Sequence, residues 1–244
     1  MITGSKWILA VFLLLGTTAS AQLLKQGKIT YERRTNLLKK FDDERMAGMF
    51  NEKNKIRIDR FSLFFNDTSS FFSYIPPDQE DKMSWATMKN TVYQDLKNEK
   101  KSVLMDFWGT PLLVKDSVSV RTWKITDKTR KIAGYECTRA IWQKDDTTRI
   151  YAWFTTDIVP TVGPETMTGL PGAILGLATE DGGVVYFATS VEMLVPTPEQ
   201  VTMPKKKAKE YTDAELYAEL KSKMEGQPFG DRVLKEIFFW DNLK

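Results

Sequence analysis

The feature that most limits what this chain can fold into is a recurrence of short apolar runs closed by turn residues. The runs fall at residues 103–108, 112–114, 118–125, 135–142, 149–154, 173–178 and 183–195. Between them stand Trp108-Gly109-Thr110-Pro111, Ala133-Gly134 and Asp145-Asp146, residue types that set up chain reversals. Strand signals at this spacing, with no long helical pattern between them, argue against βαβ units and for antiparallel pairing of neighbours. The expected fold is mostly β: a curved antiparallel sheet, or a half-barrel or roll, with a C-terminal helix.

The N-terminal half extends the pattern. Residues 27–35 alternate, with Ile29 and Tyr31 on one face, and residues 55–59 alternate again through Ile56 and Ile58. Two aromatic runs, 61–65 and 71–74, flank Asn66-Asp67-Thr68-Ser69-Ser70, the signature of a hairpin. Residues 37–50 read as a short amphipathic helix or an elaborated hairpin loop. Residues 76–101 read as a polar loop or insertion, with a short helix near 85–96. Pro196, Pro198 and Pro204 end the sheet. A helix then starts at Thr212, with Glu215 completing a capping box, and stops at Gly226. Phe229 and the Ile237-Phe238-Phe239-Trp240 cluster are expected to dock on the sheet.

Residues 1–21 have the form of a secretory signal: Lys6, an apolar stretch at 7–15, and Ala19-Ser20-Ala21 before Gln22. The apolar stretch is shorter than the roughly 20 residues of a spanning helix. Residues 22–244 are therefore expected as a single β-rich domain with a helical appendix at 205–244. Its expected location is outside the cytoplasm, most simply the periplasm, with secretion as the other destination. No transmembrane segment is expected after cleavage.

Composition closes several routes to function. The chain has no histidine, which removes the commonest general base and zinc ligand and the Ser-His-Asp and Cys-His arrangements. Cys137 is the single cysteine, so no intramolecular disulfide forms. A net charge of +3 offers no clustered basic stripe for nucleic acid, and Lys205-Lys206-Lys207 reads as a solvated linker. The adjacent acidic pairs Asp42-Asp43, Asp145-Asp146 and Glu180-Asp181 stand beside turn residues, and neighbours on a strand face opposite ways. We assign no catalytic residue, no metal ligand and no cofactor. Asn66-Asp67-Thr68 builds the hairpin tip, and Cys137 reads as a small buried hydrophobe, a reactive thiol being the other reading. Aromatics make up 12% of the chain. Most are expected in the core, while some of Trp108, Trp123, Trp142 and Trp153 are candidates to line a concave apolar face.

One stretch is more specific. Trp123-Lys124-Ile125-Thr126, residues 132–137 (Ile-Ala-Gly-Tyr-Glu-Cys), residues 152–158 (Ala-Trp-Phe-Thr-Thr-Asp-Ile), Gly163-Pro164 and Gly169-Leu170-Pro171-Gly172-Ala173-Ile174 occur in series. In these blocks the chain closely resembles the GLPGLI family, exported proteins of Gram-negative bacteria. The resemblance spans about 118–195 and leaves 36–54 and 76–101 outside. Ala173 stands where the family motif has Leu. The resemblance implies an exported, mostly β protein of unestablished activity, and it points to the Gly/Pro loop. Trp153, Gly163, Pro164, Gly169, Leu170, Pro171 and Gly172 are accordingly the candidate binding residues. A purely architectural connection is the alternative role for the loop.

The leading expectation is a non-enzymatic binding or accessory module of the cell envelope. Its partner would be an envelope or outer-membrane protein, or a hydrophobic peptide or lipid. The alternative is a histidine-independent hydrolase of envelope or nutrient polymers that gathers Asp and Glu residues in space.

Overall fold

A computed structural model describes residues 23–41, 46, 48–79 and 81–241; the expected signal segment and Asp42-Asp43 lie outside them. The strands are β1 (Gly27–Asn36), β2 (Ile56–Phe65), β3 (Ser69–Ile75), β4 (Thr91–Asp95), β5 (Lys100–Phe107) and β6 (Thr110–Ser117), followed by β7 (Lys124–Ile132), β8 (Tyr135–Gln143), β9 (Arg149–Thr155), β10 (Ala173–Thr179), β11 (Val184–Glu192) and β12 (Lys209–Tyr211). They form one open 12-stranded sheet in the order β12-β6-β5-β4-β3-β2-β1-β11-β10-β9-β8-β7. Two consecutive meanders, β1 to β6 and β7 to β11, thus meet at the β1·β11 pair. The expected β-rich sheet with a C-terminal helix is what the chain forms. The sheet is mixed, however, because β12 lies parallel to β6 while every other pair is antiparallel.

Period-2 patterning decides which face is covered. In β1, Ile29, Tyr31, Arg33 and Thr35 point inward, and opposite them β2 buries Arg57, Asp59, Phe61, Leu63 and Phe65. The far end of the sheet curls. Ile132, at the end of edge strand β7, lies against Gly176 of β10, three strands in: a Cβ on that glycine would sit 2.9 Å from the Ile132 Cδ1. The Tyr31 hydroxyl crosses the same interior and donates to the Ile174 carbonyl at 2.8 Å.

Three expectations are corrected. Residues 118–123 form no strand, and the strand is Lys124–Ile132, shifted onto a polar stretch. Residues 76–101 are no simple loop: they hold a 3-10 turn at Ser84–Ala86, all of β4 and the start of β5. The C-terminal region carries two helices, Asp213–Met224 and Gly230–Ile237. The first begins as read, with Thr212 and Glu215 capping one another. Leu216, Leu220, Ile237 and Phe238 from these helices join the main core. After Asn36 caps the helical turn Leu37–Lys40, Leu37, Phe41, Phe50 and Ala86 make a small separate cluster. Among the described residues no helix is long and apolar enough to cross a membrane.

Candidate functional site

Two places concentrate chemistry. The first is a surface groove at the β12 edge. β5 and β6 are joined by a two-residue turn, Phe107 facing Thr110, with φ of 51° at Trp108 and 83° at Gly109. Such turns favour Asn-Gly, since both central residues need positive φ. A tryptophan there is strained by about 1–3 kcal/mol. The Asp106 Oδ1 steadies the turn by accepting from the Gly109 amide at 2.7 Å. The Trp108 ring stacks on Phe107 at 4.5 Å and meets the Phe229 ring edge-on at 5.8 Å, yet remains 68% exposed.

Beneath Trp108 the groove encloses about 440 Å³, floored by Phe107, Leu112, Tyr211, Leu216 and Leu220. Its rim is charged. Glu219 accepts from Lys209 at 2.8 Å and Lys223 at 2.6 Å, and these hydrogen bonds pull its pKa down to about 2. Two lysines against one carboxylate leave the rim with a surplus of positive charge.

The second place is a buried charge network at the covered end of the inner face. Asp59 takes Arg33 Nη2 at 2.7 Å, Arg57 Nη2 at 2.8 Å and Thr87 Oγ1 at 2.7 Å. Arg57 also bridges to Asp81, and Arg33 donates to the Met88 carbonyl at 2.7 Å. Burial acts to raise the Asp59 carboxyl, but Arg33 and the hydrogen bonds outweigh it and hold it below the usual range. Glu165 enters from the Gly/Pro loop with a φ of 55° and 3% exposure. It accepts from the Tyr186 hydroxyl at 2.5 Å and lies 3.8 Å from Arg33. Burial nonetheless pushes its carboxyl up, Arg33 only partly offsetting it.

Next along the loop, Thr166 accepts twice from Arg121, at its carbonyl and at its hydroxyl, each at 3.1 Å; Arg121 also donates to the Trp240 carbonyl at 2.6 Å. Lys101, fully buried on β5, meets Asp213 at 2.8 Å and bonds Asp241. Between these groups lies a cavity of about 10 Å³ bordered by Asn90, Glu165, Thr166, Asp213 and Asp241. That is the size of about one water, and the Asn90 Oδ1 accepts no hydrogen bond among the described residues.

The structure brings the candidate loop residues together and turns most of them inward. Gly163, Pro164, Leu170 and Gly172 are buried, and only Gly169 and Pro171 face solvent. Leu170 plugs into the core at 2% exposure. Gly172 has a φ of 123°, and a Cβ there would lie 2.0 Å from the Thr155 carbonyl oxygen. Trp153 is half-buried under Arg130, 5.0 Å above its ring. The loop seats Glu165 and Thr166 among the buried charges and offers little outward surface.

Cys137 is fully buried, with burial raising its thiol to about 11, and Arg139, two residues along the strand, donates to the Thr126 hydroxyl at 3.2 Å. Asp145 and Asn66 commit their side-chain oxygens to turns, accepting from Thr147 and Thr148 and from Thr68 and Ser69. Glu180 pairs with Arg149 at 2.7 Å. The network residues Arg33, Asp59, Glu165 and Lys101 were not read from the sequence. One signal was present: Glu165 is the only charged residue between Pro160 and Ile174.

No family model and no curated protein matches the chain. Among solved structures, PNGF-II in its C2 and P21 crystal forms is similar, with TM-scores of 0.55 and 0.54 at 18% identity. The matches cover 78% and 77% of this chain but 31% and 32% of the PNGF-II chains, so the chain spans about a third of their length. The likeness is one of fold. An uncharacterized conserved protein from Thermus thermophilus aligns at a TM-score of 0.40 and 8% identity over 76% of this chain and 90% of that one.

Proposed function

We propose that the protein is an exported, GLPGLI-like binding module of the cell envelope that holds an apolar chain, such as a lipid tail, in the groove under Trp108. The observation that carries this reading is the groove itself. Its roughly 440 Å³ falls within the range of about 300–1,000 Å³ typical of small-molecule sites. An apolar floor with a few charged groups at the rim is the composition such sites share. The rim's surplus positive charge suits a ligand with an anionic head.

The hydrolase alternative is not favoured. Among the described residues Glu165 and Asp213 are buried acids whose burial raises their pKa, but both border a cavity of only about 10 Å³, which has no room for a polymer substrate.

A titration with a dansyl-labelled fatty acid tests the reading. Saturable binding at one site per chain is expected. Thr110→Trp, placing an indole at the groove mouth, should weaken it about tenfold, equivalent to about 1.4 kcal/mol of binding energy. Non-saturable binding, or binding indifferent to Thr110→Trp, overturns it.

A further inference from the structure

The groove's mouth belongs to a larger surface that the ligand reading leaves unused. Among the described residues Trp108 is the most exposed tryptophan, 68% against 52% for Trp85, and it caps a hairpin whose backbone is strained to hold it. Positive φ is a rare conformation for a bulky residue, and strain of this kind clusters at ligand-contacting sites. Phe107 and Phe229 support its ring from beneath.

Lysines collect at the same end. β12 runs parallel to β6, with Lys209 level with Leu112. Lys207 is two residues earlier, so its Cα lies no more than about 7.6 Å from that of Lys209. Lys209 itself borders the groove with Trp108. Lys205, Lys206 and Lys207 are all exposed, and none makes an ion pair or hydrogen bond among the described residues. Of the nearby carboxylates, Glu210 is engaged by Lys115 at 2.7 Å and Glu219 by Lys209 and Lys223, while Asp106 in the hairpin, bonded to the Gly109 amide, offsets one of the three charges. The triplet is therefore a local surplus of positive charge beside a raised indole.

We propose that this end of the molecule docks on an anionic lipid bilayer, Trp108 entering the interface while Lys205, Lys206 and Lys207 meet the headgroups. Tryptophan is suited to that boundary because its ring is apolar while its N–H remains a donor. Lysines beside an anionic surface each strengthen attachment about fivefold. The surface also places the groove mouth against the source of an apolar chain. Docking does not require the groove to be filled, so it stands apart from the ligand reading.

Vesicle co-sedimentation decides it, using purified protein whose N-terminus has been assigned by mass spectrometry. Binding to vesicles of phosphatidylglycerol and phosphatidylethanolamine is expected, with little to phosphatidylcholine alone and a steep loss as salt rises. The triple variant Lys205→Gln/Lys206→Gln/Lys207→Gln should lose on the order of 100-fold in partitioning. These side chains are exposed, so folding is not at risk. Trp108→Ser should abolish the blue shift of tryptophan emission on vesicles. Equal binding to neutral and anionic vesicles, or binding unchanged in the triple variant, overturns the proposal. Thr110→Trp separates the two readings, since it should weaken the dansyl fatty acid about tenfold without lowering vesicle binding.

Discussion

The groove at the β12 edge and the charge network at the covered end of the sheet are opposites. The network has the richer chemistry, Arg33, Arg57 and Lys89 (3.9 Å from Asp59) against Asp59, Asp81 and Glu165, yet the cavity beside it has room for about one water. The groove has modest chemistry, its one rim carboxylate already paired, but it has space and an exposed indole. Perturbed ionisation therefore does not tell the two regions apart, since Glu219 at the groove rim is shifted as well; open space beneath a strained aromatic does, and it marks the region proposed to bind. Raised or lowered pKa values do flag active sites, but structural ion-pair networks perturb them as well. Accessibility separates the two cases.

The sharpest way to break this contrast is Asp59→Asn. It leaves Arg33 and Arg57 buried without their shared carboxylate, and loss of one member of a buried pair costs about 3–5 kcal/mol. Urea unfolding should show that loss, while fatty-acid affinity of the folded fraction stays unchanged. A change in affinity would tie the network to function after all.

A smaller effect with a distinct sign comes from Glu165→Gln. The folded carboxyl is raised above its unfolded value, so its contribution to stability is fully present below the unfolded pKa and fades as pH rises through the folded one. The variant removes that fading. Thermal midpoints of the two proteins should differ progressively from about pH 4 upward, near the unfolded value of a glutamate, the natural protein losing more. Asp59 runs the other way, because its folded pKa is depressed; its contribution holds above the unfolded value and is lost as pH falls through the folded one.

The smallest stability change, coupled to a loss of binding, is expected at Trp108→Asn. Asparagine tolerates positive φ, and the strain relieved is about 1–3 kcal/mol. Against this, the indole's packing on Phe107 and Phe229, worth about 0.5–1.5 kcal/mol per ring, disappears. The two nearly cancel, so unfolding free energy should move by less than about 1 kcal/mol. Dansyl fatty-acid affinity should fall at least about fivefold, comparable to removing one aromatic partner. A large drop in stability with affinity intact would recast Trp108 as structural.

Local order was legible where neighbouring residues produce it. The β2–β3 hairpin announced itself through aromatic runs around Asn66, and the Thr212–Glu215 box fixed the start of its helix. β4 was hidden because its inward positions are Val92 and Gln94, so a buried amide interrupts the apolar alternation. β7 was displaced for a related reason: as an edge strand it is exposed on almost every residue and charged along its length, a composition that deters pairing with other chains. The candidate loop was found by its glycines and prolines, and an inward Leu170 agrees with its architectural reading, but the burial of Glu165 was not legible, since it depends on strands far away in the chain. Trp108-Gly109 read as a turn, yet the groove beneath it needs β12 and a helix that arrive about a hundred residues later.

Lys101 has a bearing on how the molecule comes to be. Its partner Asp241 stands 140 residues further along the chain. Its other partner, Asp213, also lies far along the chain, so a polypeptide delivered from its amino end must carry that ammonium solvated until the C-terminal region has emerged, because an unmatched charge resists dehydration. Closure of the interior thus waits on completion of the chain. Such a delay would suit the export proposed above, which needs a chain that has not yet closed.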